Sequence, residues 1–128
     1  MDKRIYNLQK ALQALADPTR LRMVGLLAGG EVCVCHIHDA LQIPQPKASR
    51  HLAYLRAAGL VETRREGLWV HYRLAEPEDA SVRTVLNAAV HTLGHIPASQ
   101  ADEKRLPKHV TRTRSRPARR PILACCGG

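Results

Sequence analysis

Residues 45–74, QPKASRHLAYLRAAGLVETRREGLWVHYRL, decide the fold. Between Pro46 and Ala58 the apolar residues Ala48, Leu52 and Leu55 recur on one helical face, and Gly59 stops the pattern. Two β-rich runs follow, Leu60 to Arg64 and Leu68 to Leu74, separated by Arg65-Glu66-Gly67. In the second run Val70, Tyr72 and Leu74 alternate with Trp69, His71 and Arg73, which predicts a hairpin whose buried face carries the first set.

Upstream, Ile5, Leu8, Leu12 and Leu15 repeat at helical spacing. Asp17-Pro18 then supplies an N-cap and an N1 proline for a helix bearing Leu21, Val24 and Leu27, and Gly29-Gly30 ends it. Ile37, Ala40 and Leu41 mark a short helix broken at Ile43-Pro44. Downstream of Pro77, the residues Val82, Val85, Leu86, Ala89, Val90 and Leu93 form a wide apolar stripe. The order is helix, helix, short helix, reading helix, hairpin, helix. That is a mainly α winged helix-turn-helix with a β-hairpin wing and added helices at both ends. The stripes of the first and last helices, chiefly Val82, Leu86, Val90 and Leu93, exceed what one small core covers, so they predict a homodimer presenting two reading helices to a two-fold DNA site.

Periodicity divides the 128 residues into a folded domain over 1–97 and a basic, disordered tail over 98–128 that ends in Cys125-Cys126-Gly127-Gly128. The net charge is +9. Residues 98–128 hold two Lys and six Arg against Asp102 and Glu103, a net of +6, which leaves +3 for the rest. Such an excess suits a phosphate-bearing partner, but a basic tail supplies only salt-sensitive attraction without sequence preference. Only Met1 and the charged run Asp2-Lys3-Arg4 precede the first apolar periodicity, so no secretory leader is expected, and no run is long enough to span a bilayer. A cytoplasmic protein with no membrane partner follows. In that reducing compartment Cys33/Cys35 and Cys125/Cys126 are better suited to metal or redox chemistry than to a disulfide framework.

The reading helix turns Arg50 and Tyr54 away from its apolar face, and its leading end holds Gln45, Lys47, Ser49 and His51 around Arg50. Gln can pair with adenine and Arg with guanine, while Ser and Lys serve base edges or phosphates. Arg64 and Arg65 are expected at the wing tip, facing the DNA backbone. The other informative stretch is Glu31-Val32-Cys33-Val34-Cys35-His36-Ile37-His38, directly ahead of the reading helix. Residues two apart point about 200° from one another on a helix but the same way in an extended chain, so joint capture of one ion by Cys33 and Cys35 predicts local unwinding there.

The 45–74 run, together with ALADPTRLRMVGLL and EVCVCHIHDAL, resembles the ArsR/SmtB family of metal-responsive winged-helix repressors, and within it the arsenite repressors. The resemblance covers most of residues 8–74. It implies a homodimer that occupies operator DNA when metal-free and leaves it on binding As(III) or Sb(III), an inducer and not an obligatory cofactor. The family's arsenite segment reads Glu-Leu-Cys-Val-Cys-Asp-Leu-Cys. Cys33 and Cys35 occupy its first two thiol positions, and His38 occupies the third. Trivalent arsenic favours three thiolates, so three sites stay open: two thiols alone, completion by His38, or completion by Cys125 or Cys126. The zinc-sensing relatives carry an Asp-x-His start on the last helix; here His91 and His95 lie there without it.

Two alternatives share the DNA residues: a repressor answering to cadmium, lead or zinc, for which Cys/His sets are suited, and a thiol-redox repressor. A thiol redox enzyme is the rival of another class. Against it stand the lack of a Cys-x-x-Cys and of a βαβ pattern.

Overall fold

The computed structural model describes residues 2–108. Helix α1 (Lys3–Leu15) is capped by Asp2, and α2 (Pro18–Leu27) by the Asp17 carboxylate, which accepts from the Arg20 backbone N–H at 3.0 Å with Pro18 in the first turn. That bond holds the Asp17 carboxyl below its ordinary pKa. A two-residue strand β1 (Val32–Cys33) leads straight into α3 (Val34–Leu41), and Gln42 at φ 59° turns the chain into α4 (Gln45–Ala57). Helix α4 ends in a Schellman motif. Gly59, at φ 80°, donates to the Arg56 carbonyl while Leu60 donates to that of Leu55.

Strands β2 (Val61–Glu66) and β3 (Trp69–Leu74) form the hairpin, and β1 joins its far edge, giving an antiparallel sheet in the order β1-β3-β2. The turn is tighter and later than the sequence suggests. Glu66 pairs with Trp69, so only Gly67 and Leu68 lie between the strands. Gly67 at φ 60° followed by Leu68 at negative φ fits a type II′ turn, which favours glycine first. The core is one continuous cluster in which Met23, Leu26, Leu27, Ile37, Leu41, Leu52, Leu55 and Leu60 are fully buried. Each contributes roughly 1.5–3 kcal/mol relative to exposure.

Three expectations need correction. The hairpin does not have one wet face. Tyr72 and Leu74 pack on the core as expected, but His71, on the opposite side, is fully buried beside its cross-strand neighbours Cys33 and Arg64 and the Glu31 carboxylate that Arg64 holds. The stripe of α5 (Ala80–Leu93) is also less available to a partner than it looks. Val82, Leu86 and Leu93 are buried within the single chain.

The domain does not stop at residue 97. A further helix α6 (Pro97–Lys104) buries Ser99 and Asp102, and Leu106 joins the core. The Asp102 carboxylate is 1% exposed and accepts from Arg22 Nη2 and Nε at 2.8 and 2.9 Å and from Arg105 Nη1 at 2.8 Å. The two guanidiniums also donate to the Leu41 and Ala40 carbonyls, so α6 is tied to α2 and to the end of α3. Its anchors are mostly polar, and apolar periodicity could not register them. The rest of the expected tail, with Cys125 and Cys126, lies outside the described residues.

Candidate DNA-reading surface and cysteine site

Helix α4 buries Ala48, Leu52 and Leu55 and so directs Gln45, Lys47 and Arg50 outward, all exposed, with Ser49 half-buried beside them. Its N-cap is Pro44, which offers no side-chain bond, and Pro46 has no N–H, so the Gln45 and Lys47 amides are the first-turn donors left for an incoming acceptor. The polar side chains there are cationic, amide or hydroxyl. The surface suits phosphate and base edges.

The same helix is held from behind by Arg20. Its guanidinium donates to the α1 carbonyls of Ala14 and Gln13 at 2.7 and 3.2 Å, lies 3.2 Å from His51 Nδ1, and stacks 4.0 Å from the Tyr54 ring centroid. An Arg can only donate, so this contact makes His51 Nδ1 the acceptor. His51 is therefore turned toward α2, away from the reading end. Tyr54 keeps 45% of its surface exposed, with one ring face covered by Arg20.

On the wing, Arg65 is exposed, but Arg64 is not at the tip. Its guanidinium grips the Glu31 carboxylate through Nη2 at 2.7 Å and Nε at 3.2 and 3.3 Å. Glu31 is fully buried, and Arg73 Nη1 approaches its other oxygen at 3.8 Å. The hydrogen bond to Glu31 raises the Arg64 pKa above its ordinary value. Losing one partner of a fully buried pair costs roughly 3–5 kcal/mol. The cost is smaller here, because the Arg64 side chain keeps 23% of its exposure. The tip itself is apolar, with Leu68 89% and Trp69 42% exposed.

The cysteine pair sits where strand becomes helix. Cys33 has extended backbone (φ −70°, ψ 146°) and is the N-cap residue of α3, while Cys35 lies in its first turn. The change of conformation between them brings the two sulfurs 3.1 Å apart, with Cys33 buried and Cys35 half-buried. Unwinding is therefore not required: the helical 200° applies only when both residues are on the helix, and Cys33 is not. In the reduced, thiolate form, two soft sulfurs at this spacing can grip one thiophilic ion.

His38 is not drawn into the pair. Its Nδ1 faces the Ile43 carbonyl at 3.3 Å, and among the described residues no three Cys, His, Asp or Glu side chains converge as a metal-holding group. Register sets Cys33 opposite His71, and His71 opposite Arg64. His71 Nε2 lies 3.2 Å from Glu66 Oε1 but off the hydrogen-bonding direction, so neither ring nitrogen has a hydrogen bond. Burial first, and the Arg64 charge second, depress its pKa.

Residues 17–63, from the cap of α2 into β2, match the bacterial regulatory protein arsR family. A solved homodimeric winged helix-turn-helix DNA-binding domain from Mycobacterium bovis, a possible ArsR-family transcriptional regulator, is similar at TM-score 0.57 and 36% identity over 73% of this chain and 87% of that one. This chain belongs to the ArsR family. Members are transcriptional regulators, not enzymes. It is 51% identical over 82 residues to the arsenic resistance transcriptional regulator ArsR1 of Pseudomonas putida, covering 59% of this chain and 63% of that protein. It is 50% identical over 76 residues to the arsenical resistance operon repressor of Escherichia coli, covering 59% and 65%. The chain thus spans just under two thirds of the length of these two relatives.

Within the ArsR fold, the structure gathers Gln45, Lys47, Ser49 and Arg50 at one helix end and Cys33 with Cys35 at another. It separates Arg64 and His51 from the first group. Sequence reasoning missed Arg20, the Glu31 clamp and the burial of His71. Glu31 had one legible signal: a carboxylate directly ahead of the apolar run Val32-Cys33-Val34 must find a cation if it is buried with them.

Proposed function

We propose that this ArsR-family protein is a dimeric repressor of operator DNA that trivalent arsenic or antimony releases through Cys33 and Cys35. The observation that carries the reading is the sulfur pair 3.1 Å apart at the head of α3, in a segment joined to the wing sheet on one side and packed beneath α4 on the other. The likeness to two arsenic regulators supports the choice of inducer. Gln45, Lys47, Ser49, Arg50 and Tyr54 would read or position DNA from α4, with Arg65 on the wing touching the backbone. Dimerisation would use the exposed Ile5, Tyr6 and Leu12 of α1 with the partly exposed Val85, Ala89 and Val90 of α5. A protein working on operator DNA acts in the cytoplasm, and no described helix is long and apolar enough to cross a membrane.

The test is a release titration of operator-bound protein with arsenite, antimonite, cadmium, zinc and peroxide. Replacing Cys33 and Cys35 by Ser should leave operator affinity within about twofold and abolish release by arsenite, because the thiols sense and do not read. Retained release would sink the site. Release of the wild type by peroxide or cadmium alone would favour the redox or divalent-metal alternative. The third ligand is His38, Cys125, Cys126 or none, and X-ray absorption separates these cases by the sulfur count around bound arsenic before and after deletion of residues 121–128.

A further inference from the structure

Glu31 stands two residues before the first sulfur, fully buried, with its carboxylate on Arg64 of β2. β2 is not the neighbour of β1; β3 lies between them. The ion pair therefore straddles the middle strand and ties the edge segment to the far arm of the hairpin. Val32 and Cys33 are meanwhile paired to Tyr72 and His71 of β3. Residues 31–33 thus hold both wing strands, and Cys33 is at once a strand residue, the N-cap of α3 and half of the sulfur pair. Helix α3 reaches α4 through side-chain packing and the short turn Gln42-Ile43-Pro44. The wing is linked to the cysteine segment by ladder bonds and a buried charge pair, a stiffer connection.

We infer that Glu31 is a positioning residue for the wing: binding at Cys33 and Cys35 re-aims residues 31–33, and the Glu31–Arg64 tie makes both strands of the hairpin follow. This rests on the metalloid reading above. The rival route runs only through α3 into α4 and leaves the wing passive. Two states of one element, biased by a ligand at one site and read by DNA at another, are what such coupling requires.

Trp69 makes the routes distinguishable. It is the only Trp in the chain, it pairs with Glu66 beside the wing turn, and it is partly exposed, so its emission reports the wing without DNA present. In the wild-type chain, arsenite binding, followed by sulfur-to-arsenic absorbance, should shift Trp69 emission and weaken operator binding by a factor in the roughly 5–150-fold range usual for coupled sites. Glu31→Gln should bind arsenite with unchanged stoichiometry and with affinity within about twofold, yet lose most of the emission shift and bring the operator factor under about twofold. If circular dichroism shows Glu31→Gln unfolded, the double variant Glu31→Gln/Arg64→Gln, which removes both charges, is read by the same criteria. A folded variant that binds arsenite and keeps the full emission shift and operator factor overturns the inference. A wild type that binds no arsenite overturns the metalloid reading, and this inference falls with it.

Discussion

His71 is the sharpest instance of a side chain whose neighbours override its sequence pattern. By alternation it belongs with Trp69 and Arg73 on a wet face, yet it is fully enclosed, with Cys33, Arg64, Glu66 and the Glu31 carboxylate around it. Burial and the Arg64 charge disfavour its protonated form, so the folded pKa lies below the ordinary 6.5. The unfolded chain then binds the extra proton first. Stability from this residue is complete above about pH 6.5 and is lost as pH falls from there through the lower folded pKa. Denaturant unfolding between pH 5 and 8 should show wild-type stability declining on the acid side, with a shallower decline in His71→Leu. Equal slopes in the two proteins would mean that His71 accepts its proton in the folded state without penalty.

Among the elements, α2 through α4 were legible because their boundaries carry chemistry of their own: Asp17-Pro18 at one start, Gly29-Gly30 at one end, Pro44 between helices and Gly59 after the last. The cysteine pair was legible as a pair, but its spacing was not, since a two-residue strand such as β1 has no period to detect. The Glu31–Arg64 and Arg22–Asp102 bonds join residues 33 and 80 positions apart, a distance over which single-sequence patterns are silent. Helix α6 was hidden for the same reason. Its docking also includes a close approach of small residues: Ser99 is buried against Gly25 of α2, and its hydroxyl occupies the place where a Cβ at Gly25 would lie. Gly25→Ala should therefore cost on the order of 1 kcal/mol by overpacking. Gly25→Ala/Ser99→Ala should recover most of it, because the remaining neighbours, Leu93 Cβ and Ser99 Cβ, stand at ordinary contact distance of 3.5 Å. Additive losses in thermal unfolding of the double variant would show that α6 does not press on α2 there.

For the whole molecule, the question is which apolar surface one chain leaves for a second. Val82, Leu86 and Leu93 on α5, the first choice from sequence, are 2–7% exposed and serve their own core. Ile5, Tyr6 and Leu12 on α1 are 61%, 49% and 49% exposed, apolar surface that the single chain leaves uncovered. Helix α1 packs on α5, and the similar Mycobacterium bovis domain is homodimeric. The two kinds of residue should therefore fail differently. Leu86→Glu buries an unpaired carboxylate and should unfold the chain. Leu12→Glu should fold but sediment as a monomer at micromolar concentration, and operator affinity should fall by roughly 10²–10⁴, the range lost when two linked half-sites become independent. A folded Leu12→Glu that remains dimeric with normal affinity would move the interface off α1, and with it the argument that two α4 helices are spaced by this face.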